Sequence, residues 1–191
     1  ASGGFDGLAD HFLAALGKCV VVTVAVMADS AHICCMALIA FCRPRCTIPR
    51  AARWALREKG VILRTRGAEY VAAALVRWAH TGECERSLDL ALEIVGASAD
   101  EPNAKVRGAY RDVFGAIMCG WPDVAERELS AAGAQLGRQL ARVQPRESWA
   151  KAATALDSAL GAGRSGKAIG ASSASSRSPT GRVRGGRSRL N

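Results

Sequence analysis

Between residues 67 and 160 the chain repeats one pattern, an apolar stripe at helical spacing bounded by glycine or proline. Tyr70, Ala74, Leu75 and Trp78 form one stripe, which Gly82 ends. Leu88, Leu92 and Val95 form the next, and Val106, Tyr110, Val113, Phe114 and Ile117 a third. Val124, Leu129, Leu136 and Leu140 follow Pro122, and Trp149, Ala153, Leu156 and Leu160 follow Pro145. Side chains three and four apart share a helix face, whereas a strand alternates faces at every residue. Such a pattern constrains the fold to an all-α or mainly α compact bundle of about six to eight helices. Alanine fills 37 of the 191 positions, which favours closely packed helices in the same way. No repeat of sequence marks the chain as a solenoid.

The first third is less uniform. Phe5, Leu8, Phe12, Leu13 and Leu16 read as a helix stopped by Gly17. Residues 20–26 are locally strand-like because β-branched side chains dominate, and 61–66 read as a strand or an extended connection. One short strand pair is therefore compatible with the sequence, and 19–26 fits strand or helix. Residues 30–42 read as an apolar helix capped by Asp29 or Ser30, and Pro49 and Gly60 bracket a helix of about three turns. Residues 19–42 are long enough to span a bilayer, but Asp29 and His32 sit near the middle. A charge there costs about 2.5–3.5 kcal/mol, so no membrane segment is expected.

Seven cysteines form an odd set without regular spacing, which suits small apolar core residues in a reducing, cytoplasmic setting. His32, Cys34, Cys35, Cys42 and Cys46 offer zinc-ligand types within fifteen residues. Their spacing lacks the two ligand pairs of a tetrahedral site, so no metal and no cofactor is expected, with His32, Cys34, Cys42 and Cys46 left for the structure to place. No phosphate-cradling loop, dinucleotide fingerprint or nucleophile–base signature occurs, so the chain is not expected to be an enzyme.

The positive charge is concentrated. The net charge of +9 resolves into −2 over residues 1–42, +7 over 43–66, −3 over 67–160 and +7 over 161–191. The first basic block holds Arg43, Arg45, Arg50, Arg53, Arg57, Lys59, Arg64 and Arg66 against Glu58 alone. The second holds Arg164, Lys167, Arg177, Arg182, Arg184, Arg187 and Arg189 with no acid. Glycine, serine and alanine make up most of the rest of that second block, too little apolar surface to offset the entropy of ordering. The domain reading is thus a helical core at 1–160 and a disordered basic tail at 161–191. Guanidinium presents a planar fork of donors that suits phosphate. Arg50, Arg53 and Arg57 share a helix face at i, i+3 and i+7, with Trp54 beside them for the core. All fifteen cations are therefore candidate nucleic-acid contacts, binding phosphate with little sequence readout.

An alanine-rich helical core with a basic ridge and a basic arm resembles helical viral nucleocapsid and coat proteins. The composition of 161–191 resembles the proline-alanine-serine-rich proteins of polymycoviruses. That resemblance implies RNA as partner, single- or double-stranded, self-association as dimer or higher oligomer, and a place in a virion or ribonucleoprotein particle. The alternatives are a winged-helix-like DNA regulator, with 61–66 in the wing, and a helical subunit of a larger ribonucleoprotein.

Overall fold

The computed structural model describes residues 5–144, with His80 by its backbone alone. The expected helix at 145–160 and the basic tail at 161–191 lie outside the described residues. Eight α-helices occur among the described residues: α1 Asp6–Val20, α2 Ala25–Phe41, α3 Pro44–Arg57, α4 Val61–Trp78, α5 Leu88–Ala97, α6 Ala104–Gly120, α7 Pro122–Ala131 and α8 Ala134–Leu140. Two single 3₁₀ turns, Ala79–Thr81 and Glu85–Ser87, join α4 to α5.

No strand forms among the described residues, and the two strand-like stretches show why. Residues 21–24 are the turn between α1 and α2, and 61–66 are the first turns of α4. Val61, Ile62 and Leu63 are propagated into α4 by the good helix formers that follow, and packing of that helix decides the matter. Gly17 does not stop α1. It lies against Trp54, where a β-carbon would come within 2.5 Å of the indole ring. The helix expected from Pro49 begins earlier, at Pro44, whose fixed φ and missing N–H suit a first turn. α2 likewise starts ahead of Asp29 and Ser30, at Ala25. Among these helices α6 has a side-chain cap: Asn103 Oδ1 accepts from the backbone N–H of Lys105 at 3.0 Å and of Val106 at 3.3 Å.

The helices pack as successive antiparallel pairs. α1 pairs with α2, α3 with α4, α5 with α6 and α7 with α8, while α1 also meets α3, α3 meets α5, α2 meets α4 and α4 meets α6. From α1 to α6, odd helices make one layer and even helices the other, and α7 continues the stack against α6. Six of the polar contacts between pairs share a similar sequence separation: Asp6–Arg43, Asp10–Arg50, His32–Tyr70, Ile39–Trp78, Arg57–Glu93 and Arg64–Glu101 span 36 to 40 residues. A two-helix repeat of about 34–47 residues has this period. The structure is thus a stack of helix pairs, the arrangement of α-solenoids, which the lack of a repeated sequence had argued against.

Close approach holds the stack together. Ala51, Ala52, Trp54 and Ala55 of α3 are buried against Gly67 and Ala68 of α4. A β-carbon at Gly67 would lie 2.6 Å from both Ala51 O and Ala55 N, so only glycine lets these backbones meet. Tyr70, Leu75, Tyr110, Phe114 and Ile117 fill the centre where α4 meets α6, and the Tyr110 hydroxyl donates to Ala55 O. Trp54 is 4% exposed and meets Tyr70 edge-on at 6.2 Å, which confirms its core role.

Candidate functional site

The basic segment 43–66 covers all of α3 and the start of α4, and the stack divides its cations into two sets. The inward set is paired. Arg50 grips Asp10 of α1 with two parallel hydrogen bonds, Nε to Oδ1 at 2.7 Å and Nη2 to Oδ2 at 2.6 Å. This fork-on-fork pair holds the Asp10 carboxyl below its usual range and raises Arg50 in turn. Asp6, buried at the start of α1, accepts from the Arg43 backbone N–H at 3.1 Å and lies 3.5 Å from its Nε. It thereby anchors the link from α2 to α3. Arg64 donates to Glu101 at 2.5 Å, and buried Glu101 also accepts from the Asn103 N–H at 2.9 Å, fixing the α5–α6 connection. Arg66 donates to Glu69 at 2.8 Å and to His32 Nε2 at 3.3 Å.

The outward set is different. Arg45, Arg53 and Arg57 fall at i, i+8 and i+12 on the exposed face of α3, with Lys59 just beyond its end. Arg57 reaches Glu93 at 3.4 Å but remains 75% exposed, so that contact contributes little. Arg45, Arg53 and Lys59 stand in solvent. The expected face of Arg50, Arg53 and Arg57 is therefore split, because Arg50 turns inward to α1. The seven cations from Arg164 to Arg189 lie outside the described residues.

Sequence reasoning missed the acids that receive the inward arginines. Asp6 and Asp10 lie one turn apart on α1, facing Arg43 at the N-cap of α3 and Arg50 two turns further along. That register was present in the sequence, but only the pairing of α1 with α3 gives it meaning.

A second polar cluster joins α2 to α4. His32 Nδ1 lies 2.9 Å from the buried Tyr70 hydroxyl while Nε2 receives Arg66. Arginine can only donate, so Nε2 accepts and the neutral ring carries its proton on Nδ1. Burial, then Arg66, lowers the His32 pKa. Burial pushes the neighbouring Cys35 thiol up to about 11, although a hydrogen bond with Tyr70 offsets part of this, and pushes Cys84 up to about 12. These thiols stay protonated at neutral pH and behave as core residues. Among the described residues no three His, Cys, Asp or Glu side chains are placed to hold a metal ion, so His32, Cys34, Cys42 and Cys46 do not converge. No helix among them is long and apolar enough to cross a membrane.

The fold is a stack of helix pairs with a basic stripe, Arg45, Arg53, Arg57 and Lys59, on its outward side. Family comparison says which kind of stack this is. The family model described as "CLASP N terminal" matches residues 2–141, every helix from α1 to α8, and the chain belongs to that family. It is similar to a CLIP-associated protein of Arabidopsis thaliana, 32% identical over 129 residues that make up 68% of this chain and 9% of that protein. The chain thus spans less than a tenth of that relative.

Family membership overturns the coat-protein reading: the chain is not a viral nucleocapsid or polymycovirus-type protein, and RNA is not its expected partner. The self-association expected of a coat subunit falls with it. The physical reason lies in the inward arginines. Arg43, Arg50, Arg64 and Arg66 give a strongly basic sequence but are spent on carboxylates of the chain itself, Arg43, Arg50 and Arg64 on acids far away in sequence and Arg66 on Glu69 of its own helix. The winged-helix alternative fails because its wing, 61–66, is helical, and the ribonucleoprotein alternative falls with the family assignment.

Proposed function

We propose that this chain is a non-enzymatic binding module of a cytoplasmic, microtubule-associated protein. The observation that carries the reading is the family match across all eight helices. Two features of the fold support it. The buried carboxylates Asp6 and Glu101 tie separate segments of the stack together through Arg43 and Arg64, which suits a rigid scaffold with an extended surface. Arg45, Arg53, Arg57 and Lys59 remain on that surface, where they can meet an acidic protein face and steer its approach. Co-sedimentation of the 191-residue chain with polymerised tubulin tests the proposal. Saturable pelleting that weakens as salt rises is expected, and a chain that stays in the supernatant at all salt concentrations refutes it.

A further inference from the structure

Four exposed positions of α3, Arg45, Pro49, Arg53 and Arg57, follow one another at four-residue spacing. They form a single ridge along the helix, and exposed Lys59 extends it past Arg57. At 1.5 Å per residue the ridge runs about 21 Å, with one position about every 6 Å. Folding does not account for its cations. Arg45 lies in the first turn of α3, where the positive end of the helix dipole disfavours a cation and no acid of that turn offsets it. Arg45, Arg53 and Lys59 form no ion pair among the described residues. The field of Arg53 reaches Asp10, but both oxygens of Asp10 are already bonded to Arg50.

The two flanks of the ridge differ. On the α5 side stand Asp89 and Glu93, one turn apart and exposed, and Glu93 touches Arg57 at 3.4 Å. On the α1 side Asp6 is buried against Arg43, and Asp10 is held by Arg50. An anion therefore meets free positive charge along the α1 flank. We propose that this ridge is a docking surface for an extended, glutamate-rich segment of a partner protein, laid along α3 on its α1 side. The inference rests on the binding-module reading above and names the chemistry of the partner. Charge complementarity selects an acidic occupant, and spacing selects an extended one. An extended chain puts same-side side chains about 6.6–6.8 Å apart. Side chains at alternate residues of such a segment thus fall opposite Arg45, Pro49, Arg53 and Arg57 in turn. The mismatch is roughly 0.5–1 Å per step, which flexible arginine side chains absorb. Exposed pairs of this kind are weak and screened by salt, so the contact steers a partner and releases it readily.

The test follows the fluorescence anisotropy of two labelled peptides, six Glu-Thr repeats and six Glu-Thr-Thr repeats, equal in charge and different in spacing. Each is titrated with the 191-residue chain and with the same chain whose seven cations from Arg164 to Arg189 are changed to serine, so that the second signal reports the helical region. Both chains should bind the Glu-Thr peptide, more weakly as salt rises, and the serine-tailed chain should prefer it about three-fold or more over the Glu-Thr-Thr peptide. In the serine-tailed chain Arg45→Ala and Arg53→Ala should each cost about two- to five-fold in affinity. Arg138→Ala, at an exposed cation of α8, should cost nothing. Binding that vanishes with the tail cations, equal affinity for the two spacings, or indifference to Arg45→Ala and Arg53→Ala overturns the proposal. So does tighter binding of a single-stranded nucleic acid of equal charge. A chain that holds the Glu-Thr peptide through the ridge but never pellets with polymerised tubulin supports this inference and refutes the reading it rests on. A chain that pellets but ignores the peptide does the reverse.

Discussion

Arg50 of α3 and Asp10 of α1 face each other through two parallel hydrogen bonds of 2.7 and 2.6 Å, across forty residues of sequence. The pair ties the first helix pair to the second, and it uses one of the three arginines, Arg50, Arg53 and Arg57, that the sequence placed on one phosphate-facing side of the helix. Its contribution is bounded by exposure, since Asp10 is half open to solvent. A double-mutant cycle with Asp10→Ala and Arg50→Ala should return a coupling of about 0.2–1 kcal/mol. Additive losses in chemical unfolding would show that the two do not interact in solution.

The pH dependence of stability should have two separate causes. His32 has a lowered pKa, so the unfolded chain takes up a proton near pH 6.5 that the folded chain refuses. Stability present above that value is therefore lost as the pH falls below it, towards the lower folded pKa. The groups facing His32 are Asp29 and Cys35 on its own helix and Arg66, Glu69 and Tyr70 on α4. His32→Gln should flatten the melting midpoint between pH 7 and pH 5. An unchanged slope in that variant would assign the loss elsewhere. Asp10, whose pKa is also lowered, acts further down: its contribution holds above the ordinary carboxylate range and disappears as pH falls through the folded value.

Gly67→Ala should be among the most damaging single-methyl changes in the chain. The added carbon meets backbone atoms of α3 at 2.6 Å, which cannot move aside as a side chain can. Overpacking of this kind costs about 1–3 kcal/mol, or roughly 2–12 °C of melting midpoint at this size. Gly108→Ala, where a β-carbon meets nothing within 4 Å, is the control and should be neutral or stabilising. Equal effects at the two positions would contradict the close α3–α4 contact.

Thiol labelling should separate the cysteines. Cys34 is exposed, while Cys35 and Cys84 are buried with pKa values pushed up to about 11 and about 12. Iodoacetamide at pH 8 should modify Cys34 rapidly and leave Cys35 and Cys84 untouched until the chain unfolds. Rapid native labelling of Cys84 would mean that the α4–α5 connection opens.

The sequence was legible wherever helix faces alternate between apolar and polar. Stripes such as Val106, Tyr110, Val113 and Ile117 place α6 correctly because one side of it is buried. α2 was harder, since Val26, Ile33 and Phe41 are apolar on the side that faces away from the stack. The candidate site was legible as charge and illegible as geometry. Arg45 and Arg50 look alike in one dimension, but one points to solvent and the other to Asp10. That difference arises from which helices pair, a long-range relation set by Gly17, Gly67 and the small alanines of α3.

The central claim is that the basic segment does two jobs with two sets of cations, and one comparison tests it. Two triple variants are measured for melting midpoint and for co-sedimentation with polymerised tubulin: Arg45→Glu, Arg53→Glu, Lys59→Glu from the outward set, and Arg43→Gln, Arg50→Gln, Arg64→Gln from the inward set. The outward variant should lose most of its pelleting, at least ten-fold in apparent affinity, and keep its midpoint within about 2 °C, as surface changes do. The inward variant should melt several degrees lower, because buried Glu101 and Asp6 are left without their charge partners, and at a temperature where it is folded should pellet like the wild type. An outward variant that pellets normally, or an inward variant as stable as the wild type, would contradict the division.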